Sequence, residues 1–135
     1  MTPDGATLEL LRERFGHDGF RPGQAEAVAA SLEGRDALVV MPTGAGKSLC
    51  YQLPALLVDG YTPVVSPLIA LMKDQVDALV ERGIAAATLH SGLDAPERAA
   101  VIAQLGRGEL SILLVAPERF RGERFAELLR QNPPS

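Results

Sequence analysis

Three times in this chain an apolar run ends on a proline: VVMP at 39–42, VVSP at 64–67 and LVAP at 114–117. Proline has no N–H to give a sheet ladder, so each run reads as a strand cut off where the chain leaves its carboxyl end. The apolar stretches predict strands at 37–41, 63–66, 85–89 and 111–116. Between them, apolar residues at helical spacing predict helices over about 47–58, 68–82, 95–105 and 123–131. Two helices are expected earlier. One turns Leu8, Leu11 and Phe15 to one face and closes at Gly16; the other starts near Pro22, turns Ala25, Val28 and Leu32 inward and stops at Gly34. Gly83 and Gly106 are expected C-terminal stops, Asp94 an N-cap, and Pro54 should kink or shorten its helix. Strands apolar on both faces, alternating with helices, predict an α/β fold with a parallel sheet and helices on both faces. In open sheets of this kind ligands bind at the carboxyl edge, where all three prolines fall.

Composition narrows the classes. With 135 residues, 47% hydrophobic and 22% charged, the chain is expected to be one globular domain or a piece of one. A net charge of −4 argues against a broad basic nucleic-acid surface, though not against a narrow basic channel. Eleven arginines stand against two lysines, Lys47 and Lys73, which suggests that a compact ammonium is wanted at those two places. Cys50 is alone, so no internal disulfide forms, and a free thiol fits a reducing cytoplasm. With only His17 and His90 beside it, a His/Cys metal cluster is not expected. No apolar run approaches a membrane span, and MTPDGATLELL is not a signal peptide, so no membrane partner is expected.

The chemistry concentrates in LVVMPTGAGKSLCYQL, residues 38–53. Gly44 and Gly46 allow a tight turn that points backbone N–H groups inward, toward the positive end of the following helix. Thr43, Gly44, Ala45 and Gly46 then cradle phosphates, Lys47 reaches the β- and γ-phosphates, and the Ser48 hydroxyl is placed to ligate Mg²⁺. Met41 occupies the position where the strict pattern G-x-x-x-x-G-K-[ST] has glycine. A Cβ is tolerable there if the turn begins at Pro42. ATP with Mg²⁺ is the expected ligand.

Four segments in order, FRPGQ at 20–24, MPTGAGKSLCYQLPA at 41–55, SPLIALMKDQV at 66–76 and APERF at 116–120, resemble successive motifs of the RecQ family of ATP-dependent DNA helicases. The likeness extends over residues 8–131. It implies that residues 1–135 are the N-terminal portion of the first RecA-like, P-loop NTPase domain, with 1–34 a helical lead-in carrying the adenine motif. It further implies ATP-driven movement along single-stranded DNA, 3′ to 5′, with parting of the duplex. By the same resemblance Gln24 hydrogen-bonds the adenine edge, Arg21 packs on its face, and the imidazole of His17 stacks where the family often has an aromatic ring. Ser66, Pro67 and Lys73 would contact DNA, as would Pro117 and Glu118, with His90-Ser91-Gly92 near the same groove. Helicases of this type commonly lack the first glycine of the loop pattern.

Phosphoryl transfer to water also needs an Asp to hold Mg²⁺ and a neighbouring Glu to orient the water. No apolar strand here ends in Asp. In the family that acidic motif, of the DEAH type, comes on the strand after a segment like RQNPPS, so the domain is expected to be incomplete and inactive alone. The strand at 37–41 is then expected to lack its sheet neighbour, leaving unpaired backbone groups and an apolar edge. Two other readings compete. An unrelated P-loop NTPase or kinase explains MPTGAGKS but not FRPGQ or SPLIALMKDQ; a truncated product would bind nucleotide without turnover.

Overall fold

The computed structural model describes residues 4–42 and 46–135. The chain forms two compact units, Met1–Val58 and Asp59–Ser135.

In the first unit, α1 spans Gly5–Phe15, α2 Gln24–Leu32 and α3 Leu49–Ala55. Asp4 caps α1 by accepting from the Thr7 N–H at 2.8 Å. Gly16, at φ 70°, ends it as expected, with Gly16 N–H donating to Arg12 and His17 N–H to Leu11. The Gly16 bond is the αL closure, which only a residue tolerant of the left-handed region makes cheaply. Helix α3 is shorter than the predicted 47–58. Pro54 cannot donate, and the chain tightens around it into Leu56→Leu53 and Leu57→Pro54 bonds.

The inward face of α2 differs from the expectation. Gln24, Ala27, Val28 and Ala30 are buried, whereas Ala25 is half-buried and Leu32 is 37% exposed. The left-handed Gly23 (φ 89°) starts the helix at Gln24 rather than Pro22, and this rotates a polar side chain into the interior. The predicted strand at 37–41 is also corrected. No ladder forms there, and Leu38 and Val40 are 92% and 85% exposed. A strand exists only where a neighbour takes its alternating N–H and C=O groups, and no described residue pairs with this one.

The second unit carries β1 (Thr62–Val65), α4 (Ile69–Glu81), β2 (Ala86–Leu89), α5 (Ala95–Gly106), β3 (Ile112–Val115), a 3₁₀ turn (Pro117–Arg121) and α6 (Glu123–Gln131). The strands are parallel in the order β1-β3-β2, with Leu114 opposite Val64 on one side and Thr88 on the other. Position explains composition. Central β3, ILLV, is fully buried, while Pro63 is confined to edge strand β1, where a missing N–H is tolerated. Each of the β3 side chains contributes about 1.5–3 kcal/mol by leaving water.

Asp94 caps α5 as expected, and the structure adds a reciprocal bond from Glu97 that completes a capping box. Gly83 (φ 77°) stops α4, but α5 runs through Gly106, and it is Gly108 (φ 70°) that turns the chain. Helical spacing predicts Leu68, Leu71, Met72, Val76 and Leu79 inward, but α4 and its N-cap bury only Met72 and Leu79 and half-bury Val76, with Leu68 and Leu71 56% and 48% exposed. Tyr61 ties the chain after α6 back to β1: its hydroxyl donates to the Asn132 carbonyl at 2.5 Å, and its carbonyl accepts from Ser135.

Candidate functional site

Two of the sequence motifs meet in the first unit. The Gln24 side chain is 97% removed from solvent exposure (3% exposed) and satisfied on both ends. Its Oε1 accepts from the Arg21 N–H at 2.8 Å, and its Nε2 donates to the Gly46 carbonyl at 3.0 Å. A second contact runs alongside: a Cβ on Gly23 would stand 2.9 Å from the Met41 methyl. Met41, the departure from the glycine pattern, is therefore packed on the segment FRPGQ. Gly46 lies at φ 85°, and a Cβ there would run into the Gln24 amide nitrogen, with the Arg21 guanidinium close behind. Backbone conformation and close approach both require glycine at this position.

These contacts shape a cavity of about 370 Å³, walled by His17, Arg21 and Gln24 on one side and Gly46, Lys47 and Ser48 on the other. The volume falls in the range of small-ligand clefts, about 300–1,000 Å³. Thr43, Gly44 and Ala45 lie outside the described residues. Lys47 and Ser48 are exposed in the turn before α3. Lys47 makes no ion pair among the described residues, and the Ser48 hydroxyl caps nothing, although its carbonyl accepts from Tyr51 and Gln52. Burial pushes the thiol of neighbouring Cys50 up, which keeps it protonated and inert. Gly19 and Leu49 also line the cavity, and no sequence signal singled them out.

The candidate nucleic-acid residues lie in the second unit, at or just beyond the carboxyl ends of its strands. Ser66 closes β1: its N–H donates to Val115, and its hydroxyl accepts from the Leu68 N–H at 3.4 Å. The ends of β2 and β3 are laced together. The Ser91 hydroxyl donates to Glu118 at 3.5 Å, and the Arg119 guanidinium to the His90 carbonyl at 3.4 Å. Pro67 and Pro117 are exposed. Lys73 on α4 stands apart in kind. It pairs with Asp77 at 2.7 Å on an exposed face, and that hydrogen bond raises its pKa.

Among the described residues no group of His, Cys, Asp and Glu could hold a metal ion, and no helix is long and apolar enough to cross a membrane.

Comparison with known proteins gives this arrangement a context. A family model described as "DEAD/DEAH box helicase" matches residues 21–131. The chain is 52% identical over 123 residues to the ATP-dependent DNA helicase RecQ of Synechocystis sp., covering 91% of this chain and 26% of that protein. It is 50% identical over 122 residues to the same-named protein of Haemophilus influenzae, covering 90% and 20%. Against the ATP-dependent DNA helicase Q4 of Homo sapiens it is 44% identical over 126 residues, covering 90% and 10%. The chain thus spans about a quarter or less of the length of these relatives. The resemblance read from four short motifs is borne out along nearly the whole chain. Three parallel strands joined through helices fit part of a RecA-like P-loop α/β domain.

Proposed function

The chain belongs to the DEAD/DEAH box helicase family, and from that premise we propose that it is the ATP-binding segment of a RecQ-like DNA helicase working 3′ to 5′. The observation that carries the proposal is the Gln24–Gly46 hydrogen bond. It brings FRPGQ and the glycine loop, distant in sequence, to opposite walls of one cavity. An unrelated P-loop kinase has no need of the first segment.

Each wall has its task. Arg21 and His17 offer flat cationic and aromatic groups to the faces of adenine. Gln24 offers an amide that matches the donor–acceptor edge of the base. In the described state that amide is already paired with Gly46 and Arg21, so engaging adenine requires it to exchange a partner. Lys47 supplies the compact charge for the β- and γ-phosphates, and Thr43 to Gly46 supply backbone N–H groups. The donor set suits Mg²⁺ only as a shared ligand: Ser48 presents one hard oxygen, and the remaining positions fall to phosphate and water. Held through the Ser48 hydroxyl, Mg²⁺ would offset the phosphate charge. Ser66, Pro67, Lys73, Pro117 and Glu118 form or flank a carboxyl edge that tracks the DNA backbone, with loop N–H groups as donors.

Titration with a fluorescent ATP analogue, with and without Mg²⁺, tests the site. One charge-assisted contact is worth about 1.5–3 kcal/mol, so Lys47→Ala should weaken binding roughly ten- to a hundredfold. Equal binding by the parent and Lys47→Ala, with both folded, overturns the proposal.

A further inference from the structure

Three arginines of the second unit converge on another cavity, of about 340 Å³. Arg98 comes from α5, Arg119 from the 3₁₀ turn and Arg124 from α6. Among the described residues none of these guanidiniums lies within ion-pair distance of a carboxylate, whereas Arg35, Arg107 and Arg130 each pair with a glutamate. The one carboxylate on the cavity wall, Glu127, is turned away, toward Arg130 at 3.0 Å and Gln131 at 3.4 Å. Arg98 and Arg119 each donate to a backbone carbonyl, of Leu93 and His90, at 3.1 and 3.4 Å. Those bonds orient the forks without neutralising them. The Nε of Arg98 is buried and has no hydrogen-bond partner. Three cations without an ion-pair partner among the described residues thus share one cavity. Their mutual repulsion and partial desolvation are relieved by an anion.

The floor decides what kind of anion. Leu89 and Phe125, 2% and 6% exposed, form its base, and Ile102 and Leu128 its open apolar sides. A nucleic-acid strand calls for a cationic rim and an open ring face on which bases stack. Phe125 offers no such platform here: it is buried, and Phe120 meets it edge-on at 5.0 Å and 84°. An apolar pit beneath guanidinium forks instead suits a large aliphatic or aromatic side chain flanked by carboxylates. We infer that this cavity docks an acidic peptide segment of a partner protein, with one apolar side chain on the floor and its neighbouring carboxylates held by Arg98, Arg119 and Arg124. This cavity shares no lining residue with the nucleotide cavity, and the inference does not rest on that site.

The probe is a fluorescein-labelled peptide EEDLFEE, titrated into the chain and followed by anisotropy. Saturable binding is expected, weakened at least tenfold by Arg124→Glu and by Ile102→Asp, both at exposed positions. Each variant should keep the parent's circular dichroism spectrum. The charge-reversed peptide KKKLFKK should not bind, and an unlabelled twelve-nucleotide oligothymidylate should leave EEDLFEE in place. Absence of saturable binding, or equal affinity after Arg124→Glu, overturns the inference. So does displacement by oligothymidylate, which would assign the three arginines to a nucleic-acid path instead.

Discussion

The side-chain amide of Gln24 donates to the backbone carbonyl of Gly46 across 3.0 Å, joining residues 22 apart in sequence. This bond makes the glycine loop and the segment before α2 one object. Gln24 is the first residue of α2 and Gly46 lies three residues before α3, so the bond also ties the two helix starts together. A ligand that engages the amide acts on the loop, and a change in the loop acts on the amide.

Gly46→Val tests that coupling. The new side chain must enter the space of the Gln24 amide at a φ of 85°, which L-residues rarely adopt. Backbone strain of about 1–3 kcal/mol adds to the loss of the Gln24 bond. Affinity for a fluorescent ATP analogue should fall at least tenfold, with a lower melting temperature. Retention of both would show that the loop does not need Gln24.

Leu38 and Val40 expose nearly all of their side chains in a segment with no pairing partner among the described residues. Such a segment is a template for association. The isolated chain is therefore expected to be marginally stable and to self-associate, and Leu38→Lys with Val40→Lys should reduce light scattering on warming. A sharp, reversible transition of a monomeric parent chain counts against this.

Asp4 gives a pH dependence with a definite sign. Hydrogen bonds from Thr7, from its side chain first and then its backbone N–H, hold the carboxyl below its ordinary 3.8. A depressed folded-state value means the cap's contribution is complete above that ordinary value and fades as pH falls through the lowered one. Helix α1 should thus lose stability in acid below about pH 4, and Asp4→Asn, which can still cap, should lack that part of the acid loss. The measurement is the melting temperature of each chain by circular dichroism against pH.

Lys73 separates stability from binding. Its pair with Asp77 is exposed, 83% and 56% by side chain, so screening leaves it little to contribute. Lys73→Ala should leave the melting temperature close to that of the parent, as ordinary surface changes do. If the ammonium touches a phosphate, the same change should weaken single-stranded DNA binding and reduce its salt dependence by about one ion. An unchanged salt slope would leave Lys73 as a helix-surface pair only.

Much of this was written along the chain. Hydrophobic period and proline punctuation located three strands of the sheet to within about a residue, because central β3 is apolar on both faces and edge β1 and β2 keep enough of that pattern. Asp94, Gly16 and Gly83 announced helix ends because capping is local chemistry, settled by residues three or four apart. MPTGAGKS pointed to nucleotide phosphate by residue type and spacing, and FRPGQ to adenine only through the family resemblance.

Tertiary structure decided what depends on partners. The run at 37–41 has a strand's composition but forms none, since a ladder needs a second strand and composition cannot supply it. The faces of α2 and α4 rotated away from the apolar count because the left-handed turn at Gly23 and the packing of Met72 and Leu79 set their phase. That Gln24 holds Gly46, and that Arg98, Arg119 and Arg124 share a cavity without an ion-pair partner among the described residues, follows from chain reversals. Local spacing does not encode such approaches, because distances between residues far apart in sequence are set only when the whole fold closes.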